Sequence, residues 1–146
     1  MANRHKARQS ALEILYAWHS AGQDGAAIPA LLAGRIDEAD REDQDAVYLR
    51  ETVHGVVEQV AEIDTAIEGA VRGRSLRSIA HIEHNVLRIA IWEMMNRLEI
   101  PYRVIINEAL ELTKAYADEP GRAFVNGVLD ALSKNLRKQE FAASKR

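Results

Sequence analysis

Residues 104–130 read VIINEALELTKAYADEPGRAFVNGVLD. Apolar residues recur at helical spacing on both sides of one turn. Ile105, Ala109, Leu112 and Tyr116 share a face before it. Val125, Val128 and Leu129 continue into Leu132 and Leu136 after it. Pro101 suits the opening of the first helix. Asp118-Glu119-Pro120-Gly121 is the turn, and the second helix is predicted from about Pro120 to Leu136. Each helix carries an asparagine inside its apolar pattern, at a cost of about 0.5 kcal/mol or more relative to alanine. Asn107 is read as satisfying a helix end or a buried carbonyl of a neighbouring helix. Asn126 either does the same near Pro101 or shares with Phe124 a surface for a base. Gly127 permits close helix approach.

The same period extends outward. Ala7, Ala11, Ile14, Leu15 and Trp18 form a stripe on a first helix capped by Asn3 and ended near Gly22. Ile28 to Gly34 reads as a short helix with Pro29 in its first turn. Asp37 to Asp45 is an acidic run, read as a solvated loop entering a helix N-terminus. Leu49, Val53, Val56, Val60, Ile63, Ile67 and Val71 predict one long helix from about Glu42 to Val71. Arg72, Arg74 and Arg77 form a basic connector, and the boundary between halves is placed here, giving 1–72 and 73–146. Ser78 can cap the next helix, which holds Ile79, Ile82, Val86, Ile89 and Ala90 and ends near Arg97. The tail after Lys138 is read as frayed. No segment alternates with period two, so the fold class is all-α.

At 146 residues, 47% of them hydrophobic, the chain can bury one sizeable core. It has no cysteine, which excludes disulfides, thiolate metal sites and a cysteine nucleophile. No stretch approaches the roughly 20 apolar residues that span a bilayer, and the first residues are polar and basic, so no membrane partner is expected and the cytoplasm is the expected compartment. No Walker phosphate loop, G-x-G-x-x-G or H-E-x-x-H occurs. His81, Glu83 and His84 are the best cluster of candidate ligands, but a zinc site needs more than they offer. No catalytic and no metal residues are therefore assigned, and the chain is read as a non-enzyme. Net charge is −3, yet the ends are basic. Arg4, Lys6 and Arg8 open the chain, and Lys134, Arg137, Lys138, Lys145 and Arg146 close it, around an acidic body. A polyanion would be steered to the ends.

Val104–Leu112 and Phe124–Asp130 resemble the signature of the NusB family. Val86–Glu93, Ile100-Pro101-Tyr102 and Arg4-x-x-x-Arg8 … Ala11-x-x-x-Leu15-Tyr16 extend the likeness, in the same order, over about the whole chain from Arg4 to Leu132. The resemblance implies about seven helices in two three-helix subdomains packed side by side. It implies a transcription antitermination factor that binds boxA RNA together with the small-subunit ribosomal protein NusE. The pair would help RNA polymerase read through terminators, notably in rRNA operons, with no cofactor. Carried over by position, Arg4, Lys6, Arg8, Tyr16, Glu83, Phe124 and Asn126 match positions that line or support the family's RNA surface. In the family, the first helix lies close to the start of the last one.

The chemistry of the residues agrees. Single-stranded RNA is held by aromatic rings, guanidinium planes and cationic contacts to phosphate. Arg4, His5, Lys6 and Arg8 are the cationic part, Phe124 the stacking surface, Arg122 stands beside it, and Glu83 can accept from base amino groups. Tyr16 falls beside the core stripe and equally suits support of the first helix. His5 stands where other members carry another Arg, and a free His is mostly neutral at pH 7. Ala123 offers no charge, so affinity for RNA alone is expected to be modest. Two other readings stay open: a helical docking domain that reads no RNA, and a homodimer that buries the first helix. The same fold begins some rRNA cytosine methyltransferases, whose catalytic domain has no counterpart in this sequence.

Overall fold

The structure, a computed structural model, describes residues 3–42 and 44–144. The described residues form eight α-helices, two 3-10 turns and one isolated bridge between Asn3 and Gln44. No described helix is long and apolar enough to cross a membrane. The chain divides into two compact units, Met1–Glu58 and Gln59–Arg146.

The first unit holds α1 (Arg4–Ser20), α2 (Ile28–Glu42) and α3 (Ala46–Glu58). Asn3 caps α1 as expected, its Oδ1 accepting from the Lys6 N–H at 3.1 Å. Gly22, at φ 94°, ends it. The Gln23 N–H reaches the Trp18 carbonyl at 2.8 Å and the Gly22 N–H reaches that of His19 at 3.1 Å, the paired bonds that favour glycine at this position. Ala7, Ala11, Ile14, Leu15 and Trp18 are buried with Ile28, Leu32, Tyr48, Leu49, Val53 and Val56. Each large side chain buried this way contributes about 1.5–3 kcal/mol. The second helix continues beyond Gly34 to Glu42, so much of the acidic run is helical rather than loop. One interior glycine costs only about 1 kcal/mol, and burial of Ile28 and Leu32, with an Arg35–Glu13 ion pair at 3.3 Å, offsets it. Asp45 does sit at a helix start, accepting from the Tyr48 N–H at 2.9 Å. Asp43, the side chains of residues 38–42, Lys145 and Arg146 lie outside the described residues.

The predicted long helix is two. α3 stops at Glu58 and α4 runs Val60–Ala70, which moves the boundary between units to Glu58–Gln59 from the expected 72/73. The apolar period runs unbroken across the junction, so local sequence has no stop signal there. A tertiary contact holds it instead: the Gln59 and Asn96 side-chain amides exchange hydrogen bonds of 3.3 and 2.8 Å.

The second unit contains α4, α5 (His81–Asn96), α6 (Tyr102–Tyr116), α7 (Glu119–Leu136) and α8 (Lys138–Ser144). α5 is central, packed on α4, α6 and α7, and buried from His84 to Met94. Its N-cap is Ala80, not Ser78. The Ser78 hydroxyl is diverted to the Ser75 carbonyl at 2.7 Å, inside the 3-10 turn Leu76–Ser78. Asp64 on α4 anchors α5. Arg88, 1% exposed, donates to both its carboxylate oxygens at 3.0 and 2.8 Å, and His84 Nε2 lies 2.9 Å from Oδ1. Burial pushes the Asp64 carboxyl up, but the bonds and charges of His84 and Arg88 outweigh it and hold the pKa at about 2.

From Lys138 to Ser144 the tail forms α8 rather than fraying. The buried Arg137 guanidinium donates to the carbonyls of Met94, Ile100 and Arg97 at 2.8–2.9 Å. These include carbonyls left open where α5 ends. Glu140 pairs with Arg137 at 2.7 Å and accepts from the Tyr102 N–H at 2.8 Å. Phe141 packs on Tyr102 with ring centroids 5.7 Å apart.

Candidate nucleic-acid interface

In the first unit the cationic residues gather at the start of α1. Arg4 is exposed, its guanidinium 4.3 Å from the Tyr48 ring centroid and 3.8 Å from Asp45 Oδ2. Arg8 is buried at 5% exposure, 5.5 Å from the same ring. One buried tyrosine thus faces two guanidinium groups, which its ring quadrupole attracts. Lys6 and His5 are half-buried, and His5 Nε2 lies 3.4 Å from the Gln9 amide nitrogen. Tyr16 is 43% exposed, outside the core stripe. Arg4 and Lys6 can meet phosphate directly, whereas Arg8 is a packing residue in this arrangement. Tyr48 reads in sequence only as part of an apolar face, so its partnership with the arginines had no local signal.

In the second unit the site is built on the start of α7. Asp118 caps that helix, accepting from the Gly121 N–H at 2.9 Å. Phe124 stands one turn in and is half-buried. Glu83 reaches over the same turn from α5. A Cβ at position 121 would meet its Oε1 at 2.6 Å, so glycine lets the carboxylate lie close. The Arg74 guanidinium covers the Phe124 ring, 4.4 Å from its centroid. Glu83, Phe124, Arg74, Asp118, Pro120 and Gly121 line a cleft of about 230 Å³ with Ile79 and Ala80. An aromatic face, a cation and a carboxylate acceptor in one cleft match the needs of an unstacked base.

Not every expected residue joins them. Arg122 is half-buried in the first turn of α7 and lines neither cleft beside Phe124. Asn126 is exposed and lines a different groove, of about 370 Å³, with Asn107, Tyr102, Asp130 and Phe141. Two residues along an α-helix are about 200° apart, so sequence adjacency to Phe124 separates Asn126 from that cleft. Asn107 is exposed on the same groove rather than capping a buried carbonyl. His81 is exposed while His84 turns inward to Asp64, which parts the candidate ligand cluster. Arg74 is the residue missed: its connector reads as a boundary, and its partner is far along the chain.

The family model described as NusB family matches residues 5–134. The chain is 42% identical over 145 residues to the transcription antitermination protein NusB of Pseudomonas savastanoi pv. phaseolicola, covering 99% of this chain and 86% of that protein. It is 38% identical over 135 residues to that of Coxiella burnetii, covering 92% and 95%. Among solved structures, T. maritima NusB aligns with a TM-score of 0.82 at 28% identity, over 97% of this chain and 99% of that one. A structure of antitermination factors NusB and NusE in complex with dsRNA aligns with a TM-score of 0.77 at 30% identity, over 89% and 95%.

Proposed function

Since the chain belongs to the NusB family, we propose that it recognises boxA-type single-stranded RNA jointly with the ribosomal protein NusE and supports read-through by RNA polymerase in rRNA operons. It does so in the cytoplasm, without a cofactor and without catalysing a reaction. The observation that carries this reading is the cleft at the start of α7, where the Phe124 ring, the Glu83 carboxylate and a guanidinium converge. Phe124 stacks a base, and Glu83 accepts from an exocyclic amino group. In the other unit, Arg4 and Lys6 meet phosphate, with Arg8 holding Tyr48 beneath Arg4. The pairing of a NusB-type chain with NusE and RNA in an aligned structure supports the choice of partner.

The test is fluorescence anisotropy of labelled boxA RNA against a scrambled control, with and without NusE, at two salt concentrations. Selective binding that strengthens with NusE is expected. Phe124→Ala should weaken it about tenfold or more. Arg4→Ala or Lys6→Ala should each lower the salt slope by about one. Tyr16→Ala, Arg122→Ala and Asn126→Ala, measured alongside, sort direct contacts from supporting ones. If neither the protein nor its complex with NusE distinguishes boxA from the scramble, the RNA reading fails and a helical protein-docking module takes its place. Sizing of the free protein decides whether it self-associates.

A further inference from the structure

We infer that Arg74 and Phe124 are the two jaws of a clamp that closes on one RNA base, a role that rests on the RNA-binding reading above. Their separation of 4.4 Å, guanidinium carbon to ring centroid, leaves no room for a third planar group. A base inserted between them needs about 3.5 Å on each side, roughly 7 Å in all. Only one jaw can move that far. Phe124 is half-buried on α7, between the buried Gly121, Val125 and Val128. Arg74 is exposed and follows Gly73, which sits at φ 78°. Its side chain donates one long hydrogen bond, 3.3 Å, to the Ser78 carbonyl.

Two grooves meet at the stack: the Glu83 cleft, and one of about 440 Å³ lined by Ala70, Arg72, Ala123, Gly127 and Val128 together with the two jaws. A nucleotide held in the stack can therefore extend its strand into either. Arg72 in that groove is placed for a neighbouring phosphate. In the free protein the guanidinium occupies the ring face that a base would take, so the clamp is closed until RNA opens it. Such a jaw must be planar as well as charged, which separates arginine from lysine.

The experiment uses the full chain with NusE and boxA RNA oligonucleotides carrying 2-aminopurine at one position at a time. In the wild type, quenching is expected at the clamped nucleotide. Arg74→Ala and Arg74→Lys should each weaken binding about tenfold and lose quenching at the same nucleotide that Phe124→Ala loses. Arg74→Lys should keep the wild-type salt slope, while Arg74→Ala lowers it by about one. The double variant Arg74→Lys/Phe124→Ala, which keeps the charge, should be no weaker than Phe124→Ala alone by more than about twofold, because a clamp with one jaw is no clamp. If Arg74→Lys binds and quenches like the wild type, Arg74 acts as a charge only and the clamp is overturned while the RNA reading stands. Additive losses in the double variant overturn it equally. If the wild type does not distinguish boxA from a scramble, the RNA reading falls and the clamp falls with it.

Discussion

A guanidinium over an aromatic face contributes about 0.5–1 kcal/mol when exposed and more when water is excluded. This protein uses the contact under both conditions. Arg8 over Tyr48 is buried, whereas Arg74 over Phe124 is open to solvent. Arg8→Ala is therefore expected to lower unfolding free energy by about 1–2 kcal/mol through lost packing. Arg4→Ala, at an exposed ion pair, should stay within about 0.5 kcal/mol. Urea denaturation of the two variants checks this, and equal losses would refute the assignment of Arg8 to packing. Gly121→Ala is a second residue-scale case. The new Cβ meets the far end of the flexible Glu83 side chain and, at 3.2 Å, the Asp118 carboxylate that caps α7; alanine favours the helix, so stability should change by about 1 kcal/mol or less. Glu83 must swing away, and discrimination of boxA from the scramble should fall; unchanged discrimination would remove Glu83 from base recognition. At this scale the sequence named Phe124, Glu83, Arg4 and Lys6 by residue type and motif. It had no local signal for the contacts of Arg74 with Phe124 or of Tyr48 with Arg4 and Arg8, which join distant segments.

Helices were legible as elements wherever the period of 3.6 had local punctuation. Asn3, Gly22, Pro101 and Asp118 mark ends that the structure reproduces within a residue or two. The errors fall where a tertiary bond substitutes for a local signal. The amide exchange between Gln59 and Asn96 accompanies a helix break that the apolar period does not show. Arg137, Glu140 and Phe141 order the tail, and no local pattern announces that an arginine near the end of the chain will serve carbonyls around the end of α5. Arg137→Ala should cost about 3 kcal/mol or more, because it leaves buried carbonyls unsatisfied. Glu140→Ala should cost about 1 kcal/mol as a lost helix cap. Thermal unfolding of the two variants tests the order. If Arg137→Ala matches the wild type, α8 is not anchored as described.

For the molecule as a whole, acid stability should report the Asp64 network. Its folded pKa, about 2, lies below the ordinary 3.8. Its stabilisation is therefore complete above about pH 4 and is lost as pH falls toward 2, a change on the order of 2 kcal/mol. Asp64→Asn should lose about 3 kcal/mol at neutral pH by stranding buried Arg88, and its stability should fall less steeply from pH 4 to pH 2. Urea unfolding at pH 6 and pH 3 measures both effects, and parallel pH curves would exclude Asp64 as the acid-sensitive group. The sequence by itself determined the all-helical class, most helix ends, the family and the residue types suited to RNA, because period, capping and motif are properties of neighbouring positions. Only the tertiary structure decided where the long helix breaks, that the tail is anchored, that Asn126 turns away from Phe124, and that Arg74 covers the ring. Those features depend on which distant groups satisfy one another's hydrogen bonds, charges and faces once the helices pack, and no short-range pattern encodes that choice.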